Sequence, residues 1–95
     1  MSEIEITRED TPKGGRYATV INGDEAEMTY SRAGATRIII DHTGVPDSMR
    51  GMGVGKQLVA AAVADARAEG FKIIPLCPFA KATLEKHPEW QDVVQ

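Results

Sequence analysis

Arg50-Gly51-Met52-Gly53-Val54-Gly55-Lys56 stands between Arg37-Ile38-Ile39-Ile40-Asp41-His42 and an alanine-rich run that ends at Gly70. Three consecutive isoleucines predict a strand buried on both faces. Beyond the glycines, Leu58, Ala62 and Ala66 recur at helical spacing with Val59 and Val63 beside them. That periodicity predicts an amphipathic helix from about Val54 to Glu69. The alanines between Ala60 and Ala68 favour helix and permit close packing on a sheet, and Gly70 is a natural C-cap. Phe71-Lys72-Ile73-Ile74 then predicts another strand, ending near Pro75. Strand, helix and strand in that order form a right-handed parallel crossover.

Upstream of this unit the chain reads as strands and tight turns. Glu3-Ile4-Glu5-Ile6-Thr7 alternates polar and apolar residues, the pattern of a half-buried strand. Thr11-Pro12-Lys13-Gly14-Gly15 is a turn cluster. Arg16–Ile21 is a second strand, Asn22-Gly23 a hairpin signal, and Glu25–Tyr30 the returning strand. Ser31–Ala35 reads as a loop. Downstream, Pro78–Lys86 is a short helix stopped by His87-Pro88, and Trp90, Val93 and Val94 form an apolar tail that docks on the core. The expected architecture is mixed α/β (α+β): one central, mostly antiparallel sheet of about five strands, one long helix and one short one.

Composition limits what such a fold can do. Ninety-five residues make one domain, with room for neither a two-domain enzyme nor a large lid. Eleven Lys+Arg against fourteen Asp+Glu leave a net charge of −3, and no basic stripe interrupts the chain, so no nucleic-acid partner is expected. The single cysteine, Cys77, cannot form an intrachain disulfide. No stretch approaches the roughly 18–20 apolar residues of a membrane span, and no signal-peptide pattern opens the chain. A soluble cytoplasmic protein without a membrane partner is therefore expected. Two histidines and one cysteine lie far apart without ligand spacing, so no metal is expected either.

The glycine-rich segment carries the chemistry. Glycines at a helix N-terminus let the backbone approach a ligand, and the unpaired N–H groups there favour phosphate. Arg50 and Lys56 add cationic charge. The phosphate-binding loop G-x-x-x-x-G-K-S/T fails twice, because Arg50 precedes Gly55 by five positions and Gln57 follows Lys56. The dinucleotide fingerprint G-x-G-x-x-G fails in both registers, at Lys56 and at Leu58.

A third pattern fits. Arg50-x-x-Gly53-x-Gly55 resembles the acetyl-CoA signature Gln/Arg-x-x-Gly-x-Gly/Ala of the GNAT acetyltransferase superfamily. There, too, the signature lies between the fourth strand and a long helix. The likeness extends to His42-Thr43-Gly44-Val45-Pro46, to Ile74-Pro75-Leu76-Cys77-Pro78-Phe79 and to His87-Pro88-Glu89-Trp90, which are similar to the small single-domain GNAT-like (GCN5-related) proteins. It covers nearly the whole chain. The resemblance implies acetyl-CoA as cosubstrate, its pyrophosphate on the backbone of Arg50, Gly51, Gly53, Val54, Gly55 and Lys56. Its pantetheine arm would run past Thr43 to Val45, where the fourth and fifth strands separate. Pro75 agrees with that placement, since it cannot donate to a neighbouring strand; an ordinary strand terminator explains it equally well.

Acetyl transfer requires a deprotonated amine, a donor to the thioester carbonyl and a proton for the departing thiolate. Many GNAT enzymes supply that proton from a tyrosine on the last helix. Ala80-Lys81-Ala82-Thr83-Leu84-Glu85 contains none, and Tyr17 and Tyr30 stand in the early strands. Cys77 is the replacement candidate. Preceding Pro78, it falls at a helix N-cap, where the helix dipole lowers a thiol's pKa. It would reprotonate coenzyme A or take the acetyl group as a thioester; burial as a small apolar residue is the competing reading. His42, ending the fourth strand, is the candidate base, with a structural hydrogen-bonding role as its alternative. His87 reads as a helix-end cap, and Lys81 and Lys86 as surface lysines within reach of the cofactor's 3′-phosphate.

These readings converge on a minimal acetyl-CoA-dependent N-acetyltransferase, a monomer or homodimer, acting on an unidentified amine acceptor for which an open site suits a large or macromolecular amine. An acyl-CoA-binding module without catalysis is the alternative, and an interaction domain a third. Larger GNAT enzymes place one or two helices between their first strands; the turn at Lys13–Arg16 leaves no room for them. The cofactor half of the architecture is therefore expected with most of the acceptor half removed.

Overall fold

The structure, a computed structural model, describes residues 5–49 and 51–95. Five strands, β1 (Thr7–Thr11), β2 (Gly14–Ile21), β3 (Asp24–Arg32), β4 (Arg37–Gly44) and β5 (Lys72–Pro75), lie in one sheet in sequence order. The first four are antiparallel neighbours and β5 is parallel to β4. Helix α1 (Val54–Glu69) makes the crossover between them, and α2 (Pro78–Glu85) follows β5. Short 3-10 helices cover Asp47–Met49 and Pro88–Val93. The expected sheet and helices are thus present, and no helix among the described residues is long and apolar enough to cross a membrane.

The N-terminal strand departs from expectation. The Glu3–Thr7 strand lies partly outside the described residues, Glu5 and Ile6 are not in a strand, and β1 begins only at Thr7. Its residues are mostly exposed, so alternating hydrophobicity could not locate it; backbone pairing with β2 does. The turn cluster shrinks to Pro12-Lys13, because Thr11 already pairs with Gly14. Gly14 and Gly15 belong to β2 for a steric reason. A Cβ on Gly14 would stand 2.2 Å from the Tyr30 carbonyl oxygen, and one on Gly15 2.0 Å from that of Glu9. At Asn22-Gly23 both residues have positive φ, 52° and 84°, the geometry of a two-residue hairpin turn. Strand β3 runs on to Arg32, two residues past the predicted strand end at Tyr30.

One sheet face packs on the helices. Met28, Ile38, Ile40 and Ile73 meet Leu58, Val59, Ala62 and Leu84 in a single buried cluster, which Val93 joins and on which Trp90 and Val94 pack. Val94 also bridges to Ile73 at the sheet edge, so the apolar tail does dock. At its far end this face holds a polar cluster. The Arg8 guanidinium lies 5.6 Å and 5.7 Å from the ring centres of Tyr17 and Tyr30 and bonds Tyr30, Asp65 and Glu69. Tyr17 donates to Asp65 at 2.8 Å, and burial holds its phenol far above the ordinary range. On the opposite face Arg16 joins Glu9, Glu25 and Glu27.

A β-bulge in β4 decides which side chains reach the site. Thr29 pairs with His42 but Tyr30 pairs with Ile40, so Asp41 is the extra residue. Simple alternation from Ile38 and Ile40 would put His42 on the helix-covered face. The bulge shifts the parity: Thr43 opposes the buried Met28, whereas His42 opposes Thr29 on the other face.

Candidate active site

The β4–β5 ladder ends at Ile40–Pro75. Past it, the N–H groups of Leu76 and Cys77 both donate to the Ile40 carbonyl, at 3.2 Å and 3.1 Å, and the chain turns into α2. Strand β4 continues to Gly44 with no β5 partner, leaving an opening between its last residues and the start of α2. Pro75 stands at this point of separation, as its missing N–H anticipates.

Cys77 lies in that opening. It is buried, its Sγ is 3.5 Å from Thr43 Oγ1, and it is the N-cap residue of α2 with Pro78 next. Burial pushes the thiol up. The Thr43 hydroxyl and the backbone N–H groups of Ala80, Phe79 and Thr43 outweigh it, and the net displacement is downward. The sulfur makes no side-chain capping hydrogen bond, so the Phe79 and Ala80 amides act as oriented dipoles at the helix N-terminus, and the Thr43 amide adds to them from β4.

An open cavity of about 550 Å³ adjoins the start of α1. Its walls come from the glycine loop and first turn of α1 on one side and from α2 on the other. Of the expected cofactor-binding residues, Val45, Gly51, Gly53, Val54, Gly55 and Lys56 line it. Thr43 does not line it and instead meets Cys77. Arg50 lies outside the described residues. Gly53 is the N-cap of α1 in the left-handed region, φ 71°, and the first bond of the α1 ladder runs from Gln57 N–H to the Gly53 carbonyl. The amides of Gly55 and Lys56 consequently have no backbone acceptor among the described residues.

His42 is exposed on the other face of β4 and does not meet Cys77. A single strand separates the two candidate catalytic side chains. Tyr17 and Tyr30 are tied into the Arg8 cluster. Lys86 was legible as a lysine within reach of the cofactor, but sequence reasoning assigned no cofactor contact to Phe79, Thr83 or His87, which line the cavity with it. Their spacing of four and then three or four residues places them on one helix face, a signal that was legible once the loop was assigned to a ligand.

A mixed sheet whose parallel pair opens beside a glycine-rich helix N-terminus is the arrangement of the GNAT fold. The sequence model of the GCN5-related N-acetyl-transferase family matches residues 16–93. The chain belongs to the GCN5-related N-acetyltransferases. Among solved structures, the NMR solution structure of a GCN5-like candidate N-acetyltransferase from Staphylococcus aureus is similar over 100% of this chain and 91% of that one. It matches with a TM-score of 0.77 and 40% identity. The protein NATD1 of Xenopus tropicalis is 29% identical over 87% of this chain and 78% of its own length. NATD1 of Gallus gallus is 29% identical over 87% and 77% respectively.

Proposed function

We propose that this chain transfers an acetyl group from acetyl-CoA to an amine acceptor. Family membership supports acyl transfer in general. The observation that carries the specific reading is the continuity of the site. Among the described residues, amides without a backbone acceptor at the start of α1 border a cavity with no acidic lining, near the end of β4 that lacks a β5 partner, where Cys77 and Thr43 meet.

In this reading the pyrophosphate accepts from the N–H groups of the Gly53–Lys56 turn, with Arg50 and Lys56 supplying charge. The pantetheine arm pairs with the open edge of β4 between Thr43 and Val45, and a backbone N–H there donates to the thioester carbonyl. The acceptor approaches from the His42 face. His42 takes a proton from the ammonium, the amine nitrogen attacks the carbonyl carbon, and the C–S bond breaks. Cys77 gives its proton to the departing thiolate and regains one from solvent. A thiol held below its ordinary pKa is also a competent nucleophile. The acetyl group would then rest on Cys77 before reaching the amine, and the coenzyme A thiol would leave first.

Thiol release from acetyl-CoA over a panel of amines, followed for wild type, Cys77→Ala and His42→Ala, tests the assignment. Each variant should lose about a hundredfold or more in rate, the scale of one acid–base group, with acetyl-CoA binding retained. Mass spectrometry of the protein incubated with acetyl-CoA alone separates the two routes, since only the covalent one adds an acetyl group to Cys77. Equal rates in all three proteins would remove both residues from the mechanism. Binding without turnover on any amine would leave an acyl-CoA-binding module.

A further inference from the structure

The cavity is chemically uneven for a chain of this charge. The protein carries fourteen Asp and Glu residues, yet none of the eleven residues lining this cavity is acidic. Three of them can be cationic: Lys56 at the first turn of α1, and Lys86 and His87 at the end of α2. Arg8, Arg16, Arg32 and Arg67 are all ion-paired with carboxylates. Lys56 and Lys86 have no acidic partner among the described residues.

The two cationic ends are set apart by the helix between them. Phe79 touches Gly55 at the start of α1. Lys86 follows seven residues later, about 10 Å further along α2 at 1.5 Å per residue. His87 is held in place twice. Its Nδ1–H donates to the Thr83 carbonyl at 2.7 Å, and its ring stacks on Trp90 with centres 4.1 Å apart. Because a carbonyl only accepts, Nδ1 carries the hydrogen, and Nε2 meets a phosphate only as the N–H donor of the imidazolium. Lys81, on the same helix, lines a different cavity beside Glu85 and Gln91 and is excluded from this site.

We propose that Lys86 and His87 form a second anion site that takes the 3′-phosphate of coenzyme A, so that the protein distinguishes coenzyme A from its 3′-dephospho form. The assignment rests on the acetyl-CoA reading above and adds a selectivity which that reading does not require. A single ligand with a pyrophosphate and a separate phosphate monoester matches one cavity that is cationic at both ends and has no acidic lining among the described residues.

Calorimetric titration with coenzyme A and with 3′-dephospho-coenzyme A, on wild type, Lys86→Gln, His87→Gln and Lys81→Gln, tests it. Wild type should bind coenzyme A more tightly, by up to about fivefold, the upper end for an exposed ion pair. Lys86→Gln should abolish that preference while leaving affinity for the dephospho form unchanged, and Lys81→Gln should retain it. His87 also stacks on Trp90, so Lys86→Gln, an exposed change, carries the decision should His87→Gln fail to fold. Equal affinities in wild type, or a preference that survives Lys86→Gln, would overturn the phosphate site and leave the coenzyme A reading standing. Binding of neither nucleotide would overturn both.

Discussion

Phe79 lies directly across Gly55: a Cβ built on Gly55 would stand 2.3 Å from the Phe79 Cζ and 2.6 Å from its Cε2. Helix α2 therefore docks on the first turn of α1 through a glycine, at the wall of the cavity. The ring is 43% exposed, so it caps the contact without being locked into the core.

Gly55→Ala puts two opposing effects at one position. Alanine gains about 0.5–1 kcal/mol of helix propensity over glycine, but its methyl must displace the Phe79 ring, and forced repacking costs about 1–3 kcal/mol. The single variant should be destabilised by about 1 kcal/mol. In a Phe79→Ala background the same change should be neutral or slightly stabilising. Denaturant unfolding of the four proteins in a double-mutant cycle reads this reversal of sign, and additive effects would disprove the contact.

Gly53 poses the converse case, a backbone constraint in open space. Its φ of 71° lies in the left-handed region, and a Cβ there would meet nothing within 4 Å. Gly53→Ala should cost about 1–2 kcal/mol from conformation alone. Gly53→Asn should cost less, because asparagine tolerates this region and serves as an N-cap. For a domain of this size each kcal/mol corresponds to about 4–8 °C in Tm, so thermal unfolding ranks the three. A fully stable Gly53→Ala protein would contradict the geometry.

The Cys77 thiol should ionise at a lower pH than an ordinary cysteine. The sign follows from the groups around it: the Thr43 hydroxyl and the Ala80, Phe79 and Thr43 amides favour the thiolate, against the opposing effect of burial. The thiolate is therefore populated at a lower pH than in a free thiol, and is lost as pH falls through the depressed value. The rate of iodoacetamide alkylation against pH measures the midpoint. Thr43→Val should move it upward and Thr43→Ser should not; an unmoved midpoint in Thr43→Val would exclude the hydroxyl as a cause.

Much of the fold was legible because its signals are local. The bounds of α1 fall at Val54 and Glu69, and Gly70 closes it with φ 80°. Pro78 opens α2, and Asn22-Gly23 forms the hairpin. Each of these depends on φ preferences or missing N–H groups within a few residues, which sequence displays directly. The candidate cofactor loop was legible for the same reason, since unpaired helix N-terminal amides follow from position in the chain.

Sequence by itself thus determined the element order, the strand–helix–strand crossover and the glycine-rich helix start. Tertiary structure alone decided where β1 lies, because that strand buries little and is held by pairing with β2. It also decided the faces of His42 and Thr43, through one extra residue at Asp41 that only the β3 register reveals. Cys77 and Thr43 are 34 positions apart and meet where two strands diverge. Lys86 rather than Lys81 lines the cavity because α2 docks on α1 through Phe79 and Gly55. Backbone preference acts over a few residues, whereas the facing of a side chain depends on contacts that close only when distant segments pack.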